Sequence, residues 1–334
     1  MIENKKKYRL VKILKKFLPL IGLFLFAYII YNTGPEKIIS TFLKIPPVVF
    51  LLVAILIFIR SLINNLAWQI ILKKQKIKIS FFKTLKIQFI GFFYACISPG
   101  GVGKYINVLY LKDETHEPTG KLFVNVLIKS LVYMFAFYLI LITAAFFISD
   151  KYPHIFFGIL IYVLVSLLII VYFIQKERGE KTFKLFIKYF IPKRLKDVSK
   201  NFTESFYLDF PRVRDLSSPF LISIITNIIS YLQMYIIAVY LEIEVPFTVF
   251  MVIFSVASII SMIPISIGGL GTKEAALIFL FEPLGFATEK IIVFSIAGYI
   301  ITILFVASIG MILAFFDARN KKVKLFRKFD LSNI

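Results

Sequence analysis

The stretch ISPGGVGK, residues 97–104, decides the fold because it returns as ISIGGLGTK at residues 265–273, inside a second apolar segment. The two share the pattern I-S-x-G-G-x-G, and each interrupts a run of hydrophobic residues. Glycine breaks in an apolar helix free backbone polar groups, which membranes tolerate only where protein or a water-filled cavity surrounds them. Close helix packing explains a single such motif equally well. Five identical positions out of seven, at matching places in two halves, point instead to a shared role at one polar cavity.

The rest of the chain fits a membrane setting. Of its 334 residues, 59% are hydrophobic and 38 are Phe, with a mean hydropathy of +0.85; soluble domains are about 45–50% apolar. Apolar segments at 17–32, 48–72, 122–148, 154–174, 219–241 and 290–316 approach or exceed the ~20 residues that cross a ~30 Å hydrocarbon core. The class is therefore an all-α integral membrane protein. The N-terminus resembles a signal peptide but lacks a small-residue cleavage site, so 17–32 reads as an uncleaved first span. Cys96 is the one cysteine, which excludes an intrachain disulfide, and His116 and His154 do not make a metal site. No metal or other cofactor is expected.

A formal charge of +21 could suggest a nucleic-acid binder, but its distribution argues for topology and no nucleic-acid partner is expected. Residues 1–16, 73–86, 175–218 and 317–334 hold 30 of the 40 Lys and Arg, whereas loops 33–47, 149–153, 242–246 and 284–290 hold four. The positive-inside rule then places both termini in the cytoplasm of a plasma-membrane protein. With that orientation, segments 87–111 and 247–283 must each return to the face they came from. They read as re-entrant helical hairpins, one from each side, with the glycine motifs at their tips near the midplane.

The order span, span, hairpin, span thus occurs twice with opposite orientation, an inverted-topology repeat of six spanning helices plus two hairpins. The implied organisation is a basic N-terminus at 1–16, a first repeat at 17–150, a second at 151–316 and a basic tail at 317–334. Within loop 175–218, Phe183, Phe186, Ile187, Phe190 and Ile191 share one helical face and Lys181, Lys184 and Lys188 the other, the pattern of an interfacial helix on an anionic leaflet.

Each break is followed by a predicted helix whose N-terminus points its free N–H groups into the cavity, with Lys104 or Lys273 in the first turn. This describes a phosphate site formed by Ser98, Gly100, Gly101, Gly103 and Lys104 from one half and Ser266, Gly268, Gly269, Gly271, Thr272 and Lys273 from the other. Arg60, at the centre of span 48–72, reads as a phosphate clamp or as a partner for hairpin carbonyls, since a charge there is costly without a role. Glu274 either stabilises the helix N-terminus or serves as a protonatable counter-charge. Asn64, Asn65, Asn227 and Gln233 are expected to line the cavity. Lys129 either snorkels to the interface or takes part in function, and Trp68 reads as an interface anchor or packing residue.

IPISIGGLGTKEAALIFLF, residues 263–281, resembles the P-x-x-x-G-G-x-G-x-x-E-A-A signature of the lysylphosphatidylglycerol synthase transmembrane-region family, also called flippase-like domain proteins. SPGGVGKYINVLYLKDET, residues 98–115, resembles that family's Pro-Gly-x-x-G element. The resemblance implies family roles for Pro264, Gly268, Gly269, Gly271 and Glu274, and for Pro99 and Gly103. Where the family often carries Glu and then Arg after the first motif, this chain has Lys104 and Asn107; a family Arg of the following span is replaced by Lys129, and one of the last span is missing near Tyr299. Family members resemble the membrane half of enzymes that make and flip aminoacylated phosphatidylglycerol, and others are tied to polyprenyl-linked sugars.

The expectation is a flippase-like transporter that moves an anionic, phosphate-bearing lipid, such as a phospholipid or polyprenyl-phosphate carrier, between leaflets. The alternatives are a non-transporting membrane partner of a lipid-modifying or glycan-assembly enzyme, and a membrane-embedded transferase. No aminoacyl-transferase domain is recognisable, so the chain is not expected to be an enzyme.

Overall fold

The computed structural model describes residues 24–174, 211–261 and 269–320, and every regular element among them is helical. In chain order these are α1 (Phe24–Thr33), α2 (Pro35–Leu43), α3 (Pro47–Lys74), α4 (Phe81–Cys96), α5 (Asn107–Thr115), α6 (Thr119–Phe146), α7 (Pro153–Ile174), α8 (Ser217–Tyr240), α9 (Phe247–Ser261), α10 (Thr272–Phe281), α11 (Thr288–Gly298) and α12 (Phe305–Asn320). A 3-10 segment, Pro99–Ile106, precedes α5, and a π-helical stretch, Tyr299–Leu304, joins α11 to α12.

Five spans are long and apolar enough to cross a bilayer: Pro47–Lys74, Thr119–Phe146, Pro153–Tyr172, Arg214–Tyr240 and Thr288–Asp317. They coincide with five of the six expected segments. The sixth, 17–32, has only its α1 portion among the described residues. With 28 residues, α3 reaches about 42 Å, enough for a hydrocarbon core and both of its borders. Its Leu51, Leu52, Ile55, Phe58 and Ile59 are exposed. Only 11% of the most apolar window of α7 is buried. Apolar surface on that scale is stable against lipid and not against water. The protein is a multi-pass, all-α membrane protein. The amphipathic stretch at 181–194, the N-terminus at 1–16 and residues 321–334 of the tail lie outside the described residues.

The described parts of both glycine motifs, Pro99–Gly103 and Gly269–Gly271, lie outside the α-helices. Lys83, in the first turn of α4, pairs with Glu114, in the last turn of α5, at 2.6 Å. The chain therefore returns to its starting level after the first break. Phe250, near the start of α9, meets Phe281, the last residue of α10, with ring centroids 6.4 Å apart. The second break also lies between two arms that fold back on each other.

The chain divides into two compact units that do not follow sequence order. Unit one takes the described parts of Met1–Arg60, Gly91–Lys104 and Ile228–Ile309. Unit two takes those of Ser61–Ile90, Tyr105–Asn227 and Gly310–Ile334. Each unit draws on both halves of the sequence.

Unit one is held by an aromatic core. Phe250 is fully buried and lies against Phe254, Phe281 and Phe294 at centroid separations of 5.7, 6.4 and 5.8 Å. This cluster fixes α9, α10 and α11 around the second break. Aromatic pairs at such spacings add about 0.5–1.5 kcal/mol each beyond the area they bury.

Unit two is held by a buried polar chain. Trp68 is fully buried, and its indole N–H donates to Asn125 Oδ1 at 2.7 Å. Asn125 Nδ2 donates in turn to Gln75 Oε1 at 2.6 Å. Trp68 is thus a core residue joining α3 to α6 and not an interface anchor. Lys129 does not snorkel: its ammonium lies 3.7 Å from the centre of the Trp68 ring and donates to Gln88 Oε1 at 2.9 Å.

Candidate functional site

Unit one contains both glycine breaks. At the first, Ser98 Oγ accepts the Gly103 N–H at 2.7 Å and donates to the Ala95 carbonyl at 3.1 Å. Gly103 lies so close to α4 that an added Cβ would sit 2.0 Å from the Tyr94 carbonyl oxygen. Only glycine permits that approach. Gly100 and Gly101 belong to the 3-10 segment, where Gly101 has a φ of 68°. Lys104 differs from expectation: it lies within Pro99–Ile106, and α5 begins only at Asn107. Pro99 and its glycines are poor α-formers, so the chain winds in the tighter 3-10 form before α-helix resumes. Lys104 is half-buried there.

The second break keeps its lysine in the first turn of α10. Gly269 and Gly271 have φ of 81° and 84°, backbone that other residues adopt only under strain. Thr272 Oγ1 donates to the Gly269 carbonyl at 3.0 Å, fixing the turn into the helix. The Lys273 ammonium lies over the Phe254 ring, 4.3 Å from its centre, so the aromatic core positions the cation. Pro264, Ser266 and Gly268 lie outside the described residues.

Glu274 is 2% exposed. Its Oε2 accepts the Gly271 N–H at 2.6 Å, and its Oε1 accepts the Ser295 hydroxyl at 2.7 Å. The carboxylate closes the N-terminus of α10 and ties it to α11. The Gly271 N–H is therefore engaged within the chain. Tyr299 lies within electrostatic range of Glu274 and Cys96, near where the family resemblance places an arginine. It also opens the π-helical stretch, an irregularity frequent at functional sites.

Arg60, near the middle of α3, donates to Ser230 Oγ at 3.0 Å. One turn beyond Ser230 is Gln233, fully buried, with neither Oε1 nor Nε2 hydrogen-bonded. A buried amide without partners costs about 1–3 kcal/mol per group, so natural proteins keep few of them. Apart from residues at loops 34–46, 242–246 and 282–290, the charged side chains described in this unit are Arg60, Lys104, Lys273 and Glu274. Away from those loops the unit therefore carries three cations and one carboxylate among the described residues.

The remaining predicted lining residues belong to unit two. Asn65 Nδ2 donates to the Phe81 carbonyl at 2.9 Å. Asn227 Nδ2 donates to the carbonyls of Ser223, at 2.9 Å, and Tyr133, at 3.3 Å. Both serve the backbone of their own unit. Asn64 is only partly buried. Sequence reasoning overlooked Ser230, Ser295, Cys96 and Tyr299. The Ser295–Glu274 contact has no sequence signal, because it joins two helices at no regular spacing. The place of Tyr299 was visible as the missing family arginine.

The chain is 26% identical over 305 residues to a UPF0104 membrane protein of Pyrococcus horikoshii, covering 84% of this chain and 90% of the relative. Residues 17–310 match the family described as the lysylphosphatidylglycerol synthase TM region. That match spans both glycine breaks, the first four described spans and most of the fifth, and the chain belongs to this family.

Proposed function

We propose that the protein is a flippase-like transporter that carries an anionic, phosphate-bearing lipid, a phospholipid or a polyprenyl-phosphate carrier, between the leaflets of the plasma membrane. The observation that carries this reading is the gathering of Arg60, Lys104 and Lys273 into one unit with both glycine breaks, against the single carboxylate of Glu274. Charges at membrane depth are costly and are kept where they serve an ion or substrate path. A phosphate head group matches the surplus of positive charge, and the unsatisfied amide of Gln233 supplies further polar capacity in the same unit. The folded-back arms at Lys83–Glu114 and Phe250–Phe281 support the reading of both broken segments as re-entrant. With cytoplasmic termini, the two halves form inverted repeats that expose the site to each face in turn.

In this reading the lipid is modified by a separate partner enzyme, and this chain moves it. The test is reconstitution into proteoliposomes with labelled anionic phospholipid or polyprenyl phosphate, followed by measurement of leaflet accessibility. Wild type is compared with Lys104→Ala plus Lys273→Ala at equal protein levels. Translocation that the double variant loses supports the reading and ranks the substrates. Folded wild type that translocates none of these lipids overturns it in favour of a non-transporting partner.

A further inference from the structure

A cavity of about 830 Å³ opens in unit two where α3 meets the loop at 75–80. Leu66, Ile70 and Lys73 line it from one stripe of α3, at the i, i+4, i+7 spacing of a single helical face. Over about 10 Å the wall changes from apolar to cationic. Ile222 of α8 extends the apolar part, and Lys76 and Lys78 extend the cationic part.

The lysine end is fixed in place. The N–H of Lys76 donates to the Lys73 carbonyl at 3.0 Å and that of Ile77 to the Leu72 carbonyl at 2.9 Å. Lys76 itself takes the left-handed conformation, with a φ of 58°. This is the bonding that terminates a helix tightly. The buried Gln75 between them is held by Asn125.

Neighbouring carboxylates are already neutralised by other lysines. Asp215 pairs with Lys74 at 2.8 Å, and Glu114 with Lys83 at 2.6 Å. Lys73, Lys76 and Lys78 make no ion pair among the described residues. Three exposed lysines therefore line an apolar slot without an ion-pair partner among the described residues.

We infer that this cavity is a second lipid site, which holds an anionic phospholipid with its phosphate on Lys73, Lys76 and Lys78 and an acyl chain along Leu66, Ile70 and Ile222. Basic pockets beside membrane helices recognise lipid head groups through the same combination of charge and apolar wall. A free inorganic anion gains nothing from the apolar stripe. The site lies within unit two and stands whether or not unit one transports lipid.

The test uses the full chain in phosphatidylcholine nanodiscs with a trace of tail-photoactivatable phosphatidylglycerol, or of phosphatidylcholine bearing the same tail. After irradiation, cross-linked peptides are mapped. The phosphatidylglycerol probe is expected to label residues 66–79 about tenfold more than the phosphatidylcholine probe. The triple variant Lys73→Glu, Lys76→Glu, Lys78→Glu should bring that labelling down to the phosphatidylcholine level. The Lys→Arg variant at the same three positions keeps the charge and should keep the labelling, which separates loss of the site from loss of the fold. Equal labelling by both lipids, wild-type labelling of the charge-reversed protein, or displacement of the probe by millimolar inorganic phosphate overturns the proposal.

Discussion

At the scale of single residues, Glu274 joins two helices through both of its oxygens. Its two oxygens accept from the Gly271 N–H and the Ser295 hydroxyl, so the helix N-terminus that could receive a substrate anion already holds an internal one. Hydrogen bonds to a charged group contribute about 1.5–3 kcal/mol. Glu274→Gln removes the charge and keeps one acceptor oxygen, so the Gly271 N–H and the Ser295 hydroxyl can no longer each donate to an oxygen of its own. The expected outcome is a destabilisation of about 1.5–3 kcal/mol, read as a lower thermal midpoint in detergent. Glutamate three residues after a helix-capping glycine is a sequence-level signal, and this much of the site was legible. Ser295 was not, because its approach to Glu274 depends on how α10 and α11 pack around Phe250, Phe281 and Phe294. The same holds for Lys273, whose place over Phe254 is set by that aromatic core.

At the scale of elements, the spans were legible because a bilayer demands long apolar runs, and those runs stand out in composition alone. What joins one span to the next was not, since it rests on isolated polar residues in apolar surroundings. The chain Trp68–Asn125–Gln75 ties α3 to α6. Asn125→Ala strands the buried Trp68 N–H and the Gln75 carbonyl together, so the expected loss is about 2–5 kcal/mol, far above a surface substitution and measurable by thermal unfolding. Asn125→Gln, which keeps the amide but misplaces it, should recover only part. A weaker tie joins the loop after α8 to α11, where Lys290 donates to Glu242. That hydrogen bond, with the charge of Lys290 behind it, holds the Glu242 carboxyl below its usual value of 4.5. The stabilisation is therefore full above about pH 4.5 and fades as pH falls through the lowered folded-state value. Melting midpoints of wild type and Lys290→Ala should converge on acidification, and added salt should narrow the gap at neutral pH because the pair is exposed.

At the scale of the whole molecule, topology was argued from two independent quantities: the distribution of Lys and Arg between loops, and the spacing of the two glycine motifs. The compact units cut across that order, since each takes pieces of both halves. Sequence spacing could not show this, because unit membership is decided by side-chain packing and not by chain order. Orientation and re-entrance can be read together by labelling single cysteines from one face of sealed vesicles. Cys96 is the only native cysteine, and Cys96→Ser, which keeps its size and a donor, gives the background. Ser80→Cys and His116→Cys flank the first hairpin, and Glu244→Cys and Ala287→Cys the second; all four positions are exposed. The contact between Lys83 and Glu114 places the two ends of the first hairpin side by side. Ser80→Cys and His116→Cys should therefore react with an impermeant maleimide from the cytoplasmic face alone, and Glu244→Cys and Ala287→Cys from the outer face alone. If Ser80→Cys and His116→Cys react from opposite faces, residues 81–115 cross the bilayer. The inverted repeat would then fall, because a single crossing there reverses every span that follows it.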